Sequence, residues 1–171
     1  MNIREDQKEM YRVAAEKGWH DEGLDKTLGE CLMLMISEVS EALEEYRAGR
    51  DYNEIYYNEG KPTKPEGVVV ELADYYIRLC DCCEQFNFDL QADVNATTLV
   101  TVPVPSQSFT EYLLYLCEVT SDRWEDENSM GTCFLVLQNI CDTFGMDLEH
   151  AVKIKHEYNK TRPYRHGGKK V

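Results

Sequence analysis

Four carboxylates at helical spacing carry the most chemistry in this chain. Glu38 and Glu41 lie three residues apart in SEVSE (37–41), and Glu71 and Asp74 repeat that interval in ELAD (71–74). On a helix, side chains three apart are neighbours. The first pair follows an apolar run, CLMLMI (31–36), and lies roughly opposite a stripe of Leu32, Ile36, Val39 and Leu43. The second sits on a segment that is apolar almost all round, with Glu71, Asp74, Arg78 and Asp81 on one narrow stripe. A solvated face is normally wider. One reading is an exposed ladder in which Asp74 pairs with Arg78 four residues on. The other is that the two stripes face each other. Like charges about 4 Å apart then repel by roughly 4 kcal/mol per pair at an effective dielectric near 20. Such a cluster binds cations or holds protons. An all-oxygen donor set favours a hard ion, Mg²⁺ or Mn²⁺, over zinc. A carboxylate-bridged di-iron bundle needs Glu-x-x-His pairs, and none occurs here.

The elements that must position these groups read as helices. Three Ser/Thr-x-x-Glu capping boxes open long periodic segments: Thr27…Glu30, Thr63…Glu66 and Ser108…Glu111. A shorter helix is expected over about 3–17, and two more near 129–144 and 147–160. Gly, Pro and Asn content marks 48–64 and 95–107 as connections. TLVTVPV, inside the second, holds Pro103 and is followed by Pro105, so it makes a poor central strand. The chain also resembles itself. LCDCCEQFNFDLQADV (79–94) aligns with LQNICDTFGMDLEHAV (137–152), and MISEVSEALEE (35–45) aligns more weakly with YLCEVTSDRWE (115–125). The expectation is therefore an all-α bundle on a four-helix core, with a degenerate internal repeat. Residues 1–95 form the first unit with the acidic site. Residues 96–171 form the second with a basic end, and both belong to one domain.

Composition narrows the partners. The chain has 171 residues and a net charge of −14, which argues against a nucleic-acid polymer. The cations concentrate late, with seven Lys and Arg against one acid from Lys153 onward. No apolar run approaches the roughly 18 residues of a membrane span. The N-terminal stretch has no secretory pattern, and seven cysteines, an odd number, suit a reducing cytoplasm. Cys80, Cys82 and Cys83 lack zinc-site spacing and are expected in the core. His20, His156 and His166 match no ligand spacing.

SEVSE, then ELAD about 30 residues on, and the ending KIKHEYNKTRPYRHGGK (153–169) together resemble the MazG-like all-α nucleoside triphosphate pyrophosphohydrolases. The resemblance covers roughly 19–94 and 147–169. It implies Mg²⁺-dependent hydrolysis of an NTP or dNTP to the monophosphate and pyrophosphate, serving nucleotide-pool housecleaning. It also implies self-association, here as a homodimer. Glu38, Glu41, Glu71 and Asp74 would be the metal and catalytic residues. Arg162 and Lys169 are the expected phosphate clamps, supported by Lys155 and Asn159, and Trp19 is a candidate for stacking on the base. There are two departures. Ser37 stands where the family signature has its first Glu. The second copy keeps Glu118 opposite Glu38 but has Ser121, Ser129 and Thr132 opposite the other three acids. The tail should then serve the first unit's acidic site. A catalytically degenerate nucleotide- or protein-binding module of the same fold is the alternative, and an acidic scaffold the third reading.

Overall fold

The computed structural model describes residues 1–23, 25–97, 108–123 and 130–168. It is all-α apart from one two-stranded hairpin: α1 (Ile3–Glu16), α2 (Leu28–Arg47), β1 (Tyr56–Asn58), β2 (Lys61–Glu66), α3 (Val68–Gln85), α4 (Leu90–Ala96), α5 (Phe109–Asp122), α6 (Met130–Phe144), α7 (Leu148–Thr161) and a short turn, α8 (Arg165–Gly168). Among the described residues no helix is long and apolar enough to cross a membrane. TLVTVPV and Ser129 lie outside them.

Local chemistry sets most boundaries. α1 starts at Asn2, whose side chain accepts from the Glu5 amide, and buries Ile3, Gln7, Met10 and Val13 at helical spacing. The Thr27 box forms in full: the Thr27 hydroxyl accepts from the Glu30 amide at 3.2 Å, and Glu30 accepts from the Thr27 amide at 2.8 Å. Ser108 occupies the N-cap of α5, but its hydroxyl lies 2.8 Å from that of Thr110 and does not cap the helix.

The third box, Thr63…Glu66, does not form. Those residues belong to β2, which pairs antiparallel with β1 through Tyr56–Glu66, Tyr57–Pro65 and Asn58–Lys61. Pro62 and Pro65 hold the residues before them extended, and the Glu66 carboxylate takes bonds from Asn58 and Lys64. Part of the expected 48–64 connection is thus a hairpin. α3 begins instead after Gly67, at φ 136°. A Cβ there would lie 2.1 Å from the Glu54 carbonyl oxygen, so only glycine allows this approach.

α2, α3, α6 and α5 pack in a closed ring, with α3 also covered by α1 and α7. α3 is therefore buried almost all round: Val68 to Val70, Leu72, Tyr75, Tyr76, Leu79 and the three cysteines are at most 1 % exposed. The helix that ends each half crosses over, α4 packing on α6 and α7 on α3. Much of the basic ending is thus not a tail, because Lys153 to Lys160 lie within α7.

Candidate metal and phosphate site

Glu38, Glu71 and Asp74 bring carboxylate oxygens within 4.8 Å of one another. The facing of the two acidic stripes follows from the packing of α2 on α3. Glu38 does not lie opposite the buried face, as its periodicity suggests. It continues a buried row with Cys31, Met35 and Ala42, because α2 is covered by both α3 and α5. Glu38 and Glu71 are each 3 % exposed. Glu41 stands apart at the exposed mouth of the cleft. Further along SEVSEALEE, Glu44 bonds Arg47 and Glu45 accepts from the Tyr56 hydroxyl, so only Glu38 of the four turns inward.

Two cations meet the three acids. Arg78 donates from Nε to Glu38 Oε1 at 2.6 Å. This replaces the Asp74–Arg78 pairing that their spacing on one helix suggests. The Lys155 ammonium, 1 % exposed, lies 2.9 Å from Asp74 Oδ2 and 3.8 Å from Glu71 Oε2, and donates to the Pro65 carbonyl at 3.4 Å. Lys155 thus serves the carboxylates rather than an outward phosphate-facing surface. Burial pushes the Glu71 carboxyl up to about 8 against the pull of Lys155, with Asp74 adding to the rise. Burial likewise raises Glu38, opposed by Arg78. Glu71 therefore carries a proton at neutral pH. Its Oε2 is buried and makes no hydrogen bond among the described residues.

Glu38 and Asp74 line a cleft together with Glu41, Arg78 and Asp81. Met10, Val13 and Ala14 of α1, with Leu34 and Ile77, give it an apolar wall, and Trp19 lines the same end. Lys26 and Arg165 lie 5.7 and 5.3 Å from the Trp19 ring centre. Beside it, Asp81 accepts from His20 at 2.6 Å and lies 3.6 Å from Lys26. Asn159 lines the cleft with a buried Oδ1 that has no hydrogen-bond partner among the described residues. Arg162 also lines the cleft. Lys169 lies outside the described residues. The tail reaches the Trp19 end by a backbone bond from Arg165 to the Lys17 carbonyl at 2.8 Å, and by Tyr164 donating to Asp21.

In the second half, Glu118 is exposed on α5, and Ser121 turns its hydroxyl to the Glu118 carbonyl. The sequence offered no signal for α1 as a cleft wall, nor for the approach of Arg78 to Glu38. The narrow polar stripe on α3 did single out Arg78 and Asp81 as unusual.

Three all-oxygen donors around an orphaned buried oxygen fit a hard divalent cation. They also fit a closed ion-pair cluster, since two cations and one proton already balance them. No family model, curated protein or solved structure matches the chain, so the cleft's own chemistry is what distinguishes these uses.

Proposed function

We propose that the cleft hydrolyses nucleoside triphosphates between the α and β phosphates, releasing a monophosphate and pyrophosphate, as in the MazG-like group that its motifs resemble. The observation that supports this most is the buried, unbonded Oε2 of Glu71 beside Glu38 and Asp74. A buried oxygen without a donor is costly unless a ligand completes it. Mg²⁺ or Mn²⁺ bound there supplies the charge that lets an acidic cleft accept a polyphosphate and promotes attack by water. Glu38, Glu71 and Asp74 are its holders. Arg162 faces the phosphates, Asn159 offers its free carbonyl oxygen to a sugar hydroxyl, and the α1 wall with Trp19 takes the base. The water oxygen bonds to the α-phosphorus, the bond to the α,β-bridging oxygen breaks, and that oxygen leaves on pyrophosphate. Water's proton passes to solvent.

The test is pyrophosphate release from a panel of ribo- and deoxyribonucleoside triphosphates, with and without Mg²⁺. Orthophosphate as the product, or full activity in excess chelator, overturns the reading. A second reading is a nucleotide-binding module without turnover. It is favoured by the ion pairs Arg78–Glu38 and Lys155–Asp74, which already occupy two of the carboxylates, and by Ser37. Nucleotide binding without pyrophosphate release distinguishes it.

A further inference from the structure

The carboxylate cleft encloses less space than sites that surround a whole nucleotide. Its cavity is about 200 Å³, against roughly 300–1,000 Å³ for sites that enclose a ligand of that size. With the base against α1 and Trp19, a triphosphate outruns this volume, and Arg162 leads from it into a further space. A second cavity of about 440 Å³ opens there, lined by Lys61, Thr63 and Lys64 of β2 and by Tyr158, Thr161 and Arg162. Arg162 is common to both cavities.

Its guanidinium is half-buried yet makes no hydrogen bond or ion pair among the described residues, and it lies 5.8 Å from the Tyr158 ring centre. Burial draws its pKa down, only partly offset by Tyr158 and Asp74. A half-buried guanidinium that hydrogen-bonds no carboxylate keeps its donors available to a phosphate. Lys64 lines the second cavity. Its side chain is 22 % exposed and lies 3.0 Å from Glu66. The hairpin is fixed to the cluster by the Lys155 bond to the Pro65 carbonyl. Lys61 is exposed at the rim of this cavity.

We infer that the β1–β2 hairpin and the end of α7 form a diphosphate subsite: Lys61, Lys64 and Arg162 take the β and γ phosphates that depart as pyrophosphate. This rests on the pyrophosphohydrolase reading for its substrate, and it fixes the substrate's direction in the cleft. The leaving group exits past the hairpin, and the base end stays under α1.

Binding of Mg²⁺–pyrophosphate to the full chain, measured by calorimetry, tests the subsite without requiring turnover. Lys61→Ala/Lys64→Ala should weaken it at least about tenfold, since each charged contact contributes more than 1 kcal/mol. Binding of a nucleoside monophosphate should stay within about twofold. Lys8→Ala/Lys153→Ala removes the same charge at residues that line neither cavity, and should leave pyrophosphate binding unchanged. The single variant Lys61→Ala, at an exposed site, should give a smaller loss in the same direction. Undiminished pyrophosphate binding in the hairpin double variant, an equal loss in the control, or no binding to the wild type overturns the subsite. Absence of pyrophosphate release from every triphosphate overturns the hydrolase reading instead, and leaves the binding result to stand on its own.

Discussion

Glu71→Gln replaces the buried carboxyl by a neutral group of the same shape, and its effect should depend on pH. The Glu71 carboxyl is held near 8 in the folded protein against 4.5 for an ordinary glutamate. That difference corresponds to on the order of 5 kcal/mol between its two protonation states. The sign follows from linkage. A carboxyl whose folded pKa is raised binds its proton more tightly folded than unfolded, so the stability it allows is present below about pH 4.5 and is lost as pH rises through 8. Glutamine has no such proton to lose, and Lys155 keeps its 2.9 Å contact with Asp74 in the variant. In excess chelator, the variant should match the wild type near pH 5. Its advantage should grow by roughly 4 kcal/mol near pH 8.5, a shift of about 2 M in the urea midpoint for a typical slope. Mg²⁺ should narrow that lead to about 1–2 kcal/mol. At a hundred times its dissociation constant a ligand adds about 2.7 kcal/mol to the form that binds it, and only the wild type keeps all three donors. Urea unfolding at both pH values, with and without Mg²⁺, measures each quantity. A difference that does not change with pH, or one that turns against glutamine as pH rises, would show that Lys155 keeps Glu71 ionised. The cluster would then be a closed ion pair.

Lys155→Met should cost roughly 3–5 kcal/mol in chelator, because it leaves the Asp74 and Glu71 carboxyls buried without their cation. Millimolar Mg²⁺ should recover part of that in a thermal melt, and failure to do so counts against a metal at this site. Gly67→Ala should destabilise by about 2 kcal/mol or more, since φ is 136° and the new Cβ would meet the Glu54 carbonyl. An unchanged denaturation midpoint would contradict the close approach of hairpin and helix.

What could be read from the sequence was whatever depends on neighbours along the chain. The helical periodicity of 28–47 and 68–85, the Thr27 box and the buried cysteines all belong to that class. The Thr63 box shows where such reading stops: the capping pattern was present, but two prolines and a pairing with Tyr56 and Tyr57 claimed those residues for a strand. The meeting of Glu71 and Asp74 with a carboxylate of α2 was one of two readings, and it rested on the narrow polar stripe of α3. The basic partners were not legible, because Arg78 meets an acid 40 positions away and Lys155 meets acids more than 80 positions away. Glu41 sits one turn from Glu38 yet outside the cluster, a difference set by how deeply α2 is covered at each turn. The clefts at either end of the site were out of reach for the same reason, since their walls come from α1 and the hairpin.

The crossing of α7 onto α3 also has a consequence in time. A ribosome delivers Glu38, Glu71 and Asp74 well before Lys155, a gap of about 80 residues or roughly 4–16 s at ordinary rates of elongation. Throughout that interval the nascent chain holds its acids without the ammonium that later sits among them. Closing the bundle over them must wait for α7, which makes the synthesis of that helix the step that completes their packing. A prematurely terminated chain that lacks α7 would keep its acidic helices open to solvent and to the proteases that clear unfinished proteins.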